Sequence, residues 1–120
     1  MQAIPLNRNN DFRRLYKRGR SLVDKNVVLY FQRNRLGFNR VGFTVGKKVG
    51  GAVQRNRAKR LMRESFRLIE PQLPKGYDFV LVSRGRLPYL KRQALDGSLQ
   101  RLFTQGGLIG RRPPAPPLAQ

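Results

Sequence analysis

The spacing of apolar side chains changes along the chain, and each change marks an element. Phe12, Leu15 and Tyr16 recur at i, i+3 and i+4 and so share one face of a short helix, with Arg13, Arg14, Lys17 and Arg18 around the rest. Asn9 or Asn10 is placed to cap that helix, Asp11 falls in its first turn, and Gly19 is placed to end it in a left-handed conformation. From about Ser21 to Gln32 the pattern is extended, and the β-branched and aromatic run Asn26–Phe31 predicts a strand. Arg33–Asn39 is polar and reads as a turn, and Arg40–Val45 predicts a second strand, so a hairpin between the two is expected.

Beyond Gly50-Gly51 the period becomes helical again, from about Ala52 to Glu70. Ala58, Leu61, Met62, Ser65 and Ile69 gather on one side with Phe66 at its edge, while Asn56, Lys59, Arg60, Arg63 and Arg67 gather on the other. Pro71 stops the helix. Leu73–Gly76 is a turn, Tyr77–Val82 a buried strand, Arg84–Pro88 a loop, and Tyr89 to about Phe103 a last helix with Leu95, Leu99, Leu102 and Phe103 apolar and Gly97 a weak point. The order is α-β-β-β-α-β-α. It predicts an α+β fold, a two-layer α/β sandwich on a small mixed sheet of about four strands. The strand–helix–strand unit around the second helix implies a parallel strand pair. Residues 1–105 form one domain. Residues 106–120, rich in Gly, Arg and Pro, predict a disordered or polyproline-like tail with no part in the core.

Charge narrows the function. The 120 residues hold 26 Lys and Arg against 6 Asp and Glu, a net charge of +20. Self-repulsion at that charge opposes compaction, yet 39% hydrophobic residues suffice for one small core. Arginine outnumbers lysine by 19 to 7, which favours phosphate and base recognition over a merely solubilising surface. No apolar run approaches a membrane span and the first residues lack an apolar signal core, so a cytoplasmic protein without membrane attachment is expected. There is no Cys and no His, which excludes zinc–thiolate sites, thiol chemistry and His-based acid–base catalysis. No small-molecule substrate and no catalytic residue in the protein are expected.

The densest feature is Lys47–Arg67. Lys47, Lys48, Arg55, Arg57, Lys59, Arg60, Arg63 and Arg67 stand there against one acid, Glu64. A charged stretch is usually a solvated helix face, but like charges three or four residues apart destabilise a helix by a few tenths of a kcal/mol per pair. A polyanion is what would offset that cost. Asn56, neutral between two arginines, either caps the helix or hydrogen-bonds a ribose or base edge. Gly42–Lys48 looks superficially like a phosphate-binding loop, but only three residues separate its glycines and Lys48 stands where a hydroxyl is required. Phe12, Tyr16 and Tyr30 are ordinary core candidates. Beside so many cations they are also candidates for a platform on which unpaired bases stack.

The segment Val49-Gly50-Gly51-Ala52-Val53-Gln54-Arg55-Asn56-Arg57-Ala58-Lys59-Arg60-Leu61-Met62-Arg63, preceded by Lys47-Lys48, resembles the signature of the bacterial ribonuclease P protein subunit. The likeness extends to the Phe12/Tyr16 helix, the Val28–Tyr30 strand, the Tyr77–Val82 strand and the closing helix. It implies a left-handed β-α-β crossover, which no sequence pattern reveals. It implies a catalytic RNA partner that removes the 5′ leader of precursor tRNA with magnesium bound mainly by the RNA. It places Lys47, Lys48, Arg55, Asn56, Arg57, Lys59, Arg60, Arg63 and Arg67 against RNA, and Phe12, Tyr16 and Tyr30 in a cleft for the single-stranded leader. Gly46 departs from the serine common before the two lysines, and the Pro-rich end has no counterpart in the family pattern. The competing readings are a ribosomal protein or general RNA chaperone and, third, a protein-only nuclease.

Overall fold

The computed structural model describes residues 1–110. Its most apolar strand, Tyr77–Ser83, takes the centre of the sheet, with Phe79, Val80 and Leu81 all fully buried. Burial on both faces is what an unbroken apolar run dictates. In chain order the elements are β1 (Ile4–Pro5), α1 (Asn9–Arg18), β2 (Arg20–Val23), β3 (Val27–Arg33), β4 (Arg40–Val45), α2 (Ala52–Ile69), β5 (Tyr77–Ser83) and α3 (Arg92–Gln105). The sheet runs β1-β4-β5-β3-β2, with β4 parallel to β1 and β5, and β3 antiparallel to β5 and β2. The parallel pair joined through the basic helix is thus present as β4-α2-β5. The sheet has five strands rather than about four, because the chain start adds a two-residue edge strand.

The expected hairpin between Asn26–Phe31 and Arg40–Val45 does not form. β5 lies between those strands, and the hairpin is instead β2–β3, turning at Asp24–Asn26. Adjacency in sequence favours neighbouring strands, but here β5 has two buried faces and is satisfied only between two partners. The loop 34–39 spans its width, pinned by the backbone N–H of Asn34 on the Gly76 carbonyl.

α2 and α3 cover one sheet face. Phe66, expected at the edge of the apolar side of α2, stands at the centre of that core, 5.9 Å from Phe79 and 6.3 Å from Phe103 between ring centroids. α1 lies on the opposite face, where Leu6, Leu15 and Val80 make a second, smaller cluster. Several end signals resolve differently from expectation. Arg8 occupies the cap position of α1 and no side chain caps it, so neither Asn9 nor Asn10 does. Gly19 is extended (φ −73°, ψ 162°), not left-handed; glycine is needed there because a Cβ would lie 2.7 Å from the Leu15 carbonyl oxygen. Leu87–Tyr89 forms a separate 3-10 turn and α3 begins only at Arg92. Gly107, at φ +76°, reverses the chain after α3, and Leu108 and Ile109 return to the core. The first residues assigned to the tail therefore pack, because the glycine lets two apolar side chains fold back. The rest of the tail, residues 111–120, lies outside the described residues.

A polar network fastens the chain at the Arg40 end of the sheet. Asp78 is 2% exposed and accepts hydrogen bonds from Arg40 Nε (2.9 Å) and Nη2 (2.7 Å) and from Asn34 Nδ2 (2.9 Å). Arg14 of α1 reaches both Asp11 (2.9 Å) and Asp78 (3.4 Å). Burial alone would push the Asp78 carboxyl up; the hydrogen bonds from Arg40 and Asn34 and the charges of Arg40 and Arg14 reverse it, and the group is held below its ordinary value. Stability from Asp78 is therefore complete above the usual carboxylate range and is lost as pH falls through its depressed value.

Asp78→Asn leaves Arg40 half-buried without a full counter-charge, and the variant is expected to lose roughly 3–5 kcal/mol in urea unfolding at neutral pH. The gap to the parent protein should narrow as pH drops below about 4; a gap that does not change with pH would contradict this role.

Candidate nucleic-acid interface

The three aromatic residues converge. Tyr16 on α1 meets Tyr30 on β3 edge to face with centroids 4.8 Å apart, and Phe12 lies one helical turn away at 6.3 Å from Tyr16. Phe12 is seated over Gly42 of β4, where a Cβ would stand 2.6 Å from its Cζ. Phe12 and Tyr30 are partly buried, but Tyr16 remains 44% exposed, with its hydroxyl 3.5 Å from Thr44 Oγ1. Register places Val28, Val82 and Thr44 side by side on the same sheet face, all only partly buried. The result is a shallow trough with aromatic wall and aliphatic floor, open at the end where β4 hands over to Lys47.

Sequence reasoning missed that floor and the seat of Phe12. Gly42 carried a usable signal, a glycine inside a strand, which marks a close approach of another group. Val28, Val82 and Thr44 carried none, since only the strand order brings them together.

The cations of α2 lie mostly outside. Lys47 and Lys48 occupy a 3-10 turn anchored by buried Val49. Gly50 follows at φ +148°, a conformation that admits little but glycine. Gly51 holds the helix cap position, so Asn56 does not cap α2; it is exposed in the second turn. Arg57, Lys59, Arg60, Arg63 and Arg67 are exposed and Arg55 partly so. At 100° per residue Lys59, Arg63, Asn56, Arg67 and Arg60 form one stripe, whereas Arg55 and Arg57 fall on its two flanks. Arg67 sits about 18 Å along the axis from Arg55, near the chain start rather than beside Lys47.

None of these cations forms an ion pair among the described residues. Asp11 and Asp78 hold Arg14 and Arg40, Asp24 holds Arg101, and Asp96 faces Arg92. Glu70 accepts from the backbone N–H groups of Gln2 and Ala3. Arg63 instead lies over the Phe43 ring, 5.8 Å from its centroid. That contact takes the stripe to the edge of β4, which is free from Gly42 to Val45 because β1 pairs only with Arg40 and Val41. The cationic helix and the aromatic trough thus occupy opposite sheet faces joined around one open edge. Among the described residues no group of three or more carboxylates is placed to hold a metal ion, and no helix is long and apolar enough to cross a membrane.

Residues 2–106 match the Ribonuclease P family. The chain is 43% identical over 108 residues to the ribonuclease P protein component of Natranaerobius thermophilus, covering 90% of this chain and 94% of that protein. It is 44% identical over 98 residues to that of Pelotomaculum thermopropionicum, covering 82% and 88%. Its fold is similar to the RNase P protein of Staphylococcus aureus (TM-score 0.80, 28% identity, 91% of this chain and 100% of that one). It is likewise similar to that of Thermotoga maritima (TM-score 0.76, 31% identity, 84% and 96%).

Two outcomes are expected. Arg57→Ala and Arg60→Ala, which break no intramolecular pair, should change folding stability by no more than about 0.5 kcal/mol. Each should also lower the slope of log affinity against log salt for RNA by about one if its phosphate contact is lost. Gly42→Ala should lift Phe12 from its seat at a cost of roughly 1–3 kcal/mol and weaken binding of a single-stranded oligonucleotide measured by fluorescence anisotropy. Unchanged binding in a folded variant would detach the trough from that role.

Proposed function

The chain belongs to the ribonuclease P protein family, the protein component of the enzyme that matures tRNA 5′ ends, and on that premise we propose that it binds a catalytic RNA through α2 and the 5′ leader of precursor tRNA through the aromatic trough. The observation that carries this reading is the absence of any carboxylate partner, among the described residues, for the cations of α2. Lys47, Lys48, Arg55, Asn56, Arg57, Lys59, Arg60, Arg63 and Arg67 present donors with no side-chain acceptor among the described residues, and phosphate supplies one.

Phe12, Tyr16 and Tyr30 would receive unpaired leader bases, each stacked base contributing roughly 1–3 kcal/mol. The open edge of β4 lets one strand of RNA pass from the trough to the cationic helix without crossing a buried element. Bond breaking is assigned to the RNA. Magnesium belongs with the RNA for the same reason: four of the six carboxylates face arginines, Glu70 is bonded to backbone N–H groups, and Glu64 stands alone, so the protein's donors do not suit a hard cation. The protein's own contribution is to reduce phosphate repulsion where leader and catalytic RNA approach each other, which strengthens binding of substrate and of the metal ions the RNA carries.

The test adds the purified protein to the catalytic RNA at low magnesium. Cleavage of precursor tRNA should rise, and affinity should fall on the order of 10³-fold between 50 and 200 mM salt if about six phosphates are contacted. No stimulation would refute the assignment. Equal affinity for precursor and mature tRNA complexes would point to a general RNA chaperone that senses no leader, and cleavage by protein free of RNA would point to a protein nuclease.

A further inference from the structure

A second aromatic lies far from the trough in chain order and belongs to neither set described above. Tyr89 is 71% exposed, the most exposed aromatic side chain among the described residues. Its backbone is nevertheless anchored. Leu87 and Pro88 before it are buried, and its N–H donates to the Arg86 carbonyl at 3.0 Å. Beside it opens a cavity of about 390 Å³ lined by Lys25, Asn26, Arg86, Tyr89, Leu90 and Ala94. That is within the roughly 300–1,000 Å³ of small-ligand sites.

The lining combines four kinds of group. Tyr89 supplies an aromatic wall, and Leu90 and Ala94 supply apolar surface. Lys25 and Arg86, both exposed, supply positive charge, and no acidic side chain lines the cavity. Asn26 supplies the fourth. It is 6% exposed, its Nδ2 donates to Ser98 Oγ at 3.0 Å, and its Oδ1 has no hydrogen-bond partner among the described residues. No buried side-chain polar atom among the described residues lacks a partner, so this oxygen opens onto the cavity, where it accepts from water or from a donor that displaces it. The turn that carries Asn26 is held in advance: Asp24 accepts from the Asn26 N–H at 3.2 Å and from Arg101 at 3.1 Å, and Arg84 donates to the Asp24 carbonyl at 3.2 Å.

We propose that this cavity binds one unpaired nucleotide of an RNA, its base stacked on Tyr89 with an edge on the Asn26 amide, and its phosphate between Lys25 and Arg86. A flat π-face, one buried amide and two cations are the complement of a nucleotide and not of a simple anion. The site lies where β5 ends and β3 begins, the same end of the sheet at which β4 delivers Lys47 and Lys48. The turn that carries Tyr89 packs against α2, so the site extends the RNA-binding surface beyond the cationic stripe of that helix and away from the trough. The inference rests on the chain being an RNA-binding subunit but not on leader recognition.

The experiment titrates adenosine 5′-monophosphate, and separately ribose 5-phosphate, into the ¹⁵N-labelled full chain and follows amide resonances. Saturable shifts at Asn26, Tyr89 and Ala94 are expected with the nucleotide and much weaker ones with ribose 5-phosphate. Tyr89→Ala should weaken nucleotide binding roughly ten-fold, and Tyr89→Phe, which keeps the ring, should retain it within about two-fold. Three results would each overturn the proposal: shifts confined to the Phe12, Tyr16 and Tyr30 region, equal affinity for ribose 5-phosphate, or unaltered binding in Tyr89→Ala. Stimulation of precursor cleavage is read in a separate assay, so a pocket that fails while stimulation persists refutes the pocket alone.

Discussion

Six carboxylates have to serve twenty-six cations, and where the fold places them decides what every other charged group is free to do. Asp11 on α1 and Asp78 beneath that helix fix Arg14 and Arg40. Asp24 braces the β2–β3 turn through Arg101, and Glu70 ties down the chain start. Asp96 receives Ser65 of α2 and so helps join the two helices on the far face. Nearly all the negative charge is used to hold elements together. Only Glu64 shares the helix that carries the densest positive charge. Such a surface is a standing cost in the free protein and becomes favourable when a polyanion brings charge from outside.

The same placement shapes the trough. Because the Asp78 network anchors α1 near the Arg40 end of the sheet, the helix covers Val80 and Gly42 but leaves Val28, Thr44 and Val82 only partly covered. The partly open face is thus a consequence of where the ion pairs sit. Phe12 is held by the missing side chain of Gly42, and Tyr16 is held by Tyr30. Phe12 and Tyr30 are partly buried and also line the trough, so a packed position and a place in its wall are not exclusive.

The β4 edge gives the arrangement its direction. A longer β1 would have paired with Phe43–Val45 and separated the trough from α2. At two residues it stops short, and Arg63 lies across Phe43 beside the gap. Exposed edges invite pairing with other chains, and flanking cations are one way to make this edge receptive to RNA while discouraging another basic copy of the same protein.

Local and periodic features were determined by the sequence itself. The amphipathic face of α2, the buried run of β5, the apolar positions of α3, the parallel β4-α2-β5 unit and the cationic segment all follow from spacing, because helix and strand periods act over a few residues. The Arg-Asn-Arg segment was likewise specific enough to indicate the family. The tertiary structure alone decided the rest. β5 separates β3 from β4, Phe66 becomes the centre of the core, and Leu108 and Ile109 fold back under Gly107. Asp11 meets Asp78 across 67 residues of chain, and Asn26 meets Tyr89 at one cavity. These depend on which surfaces compete for burial once all elements are present, and that competition is between groups distant in sequence, whose pairing no local period encodes.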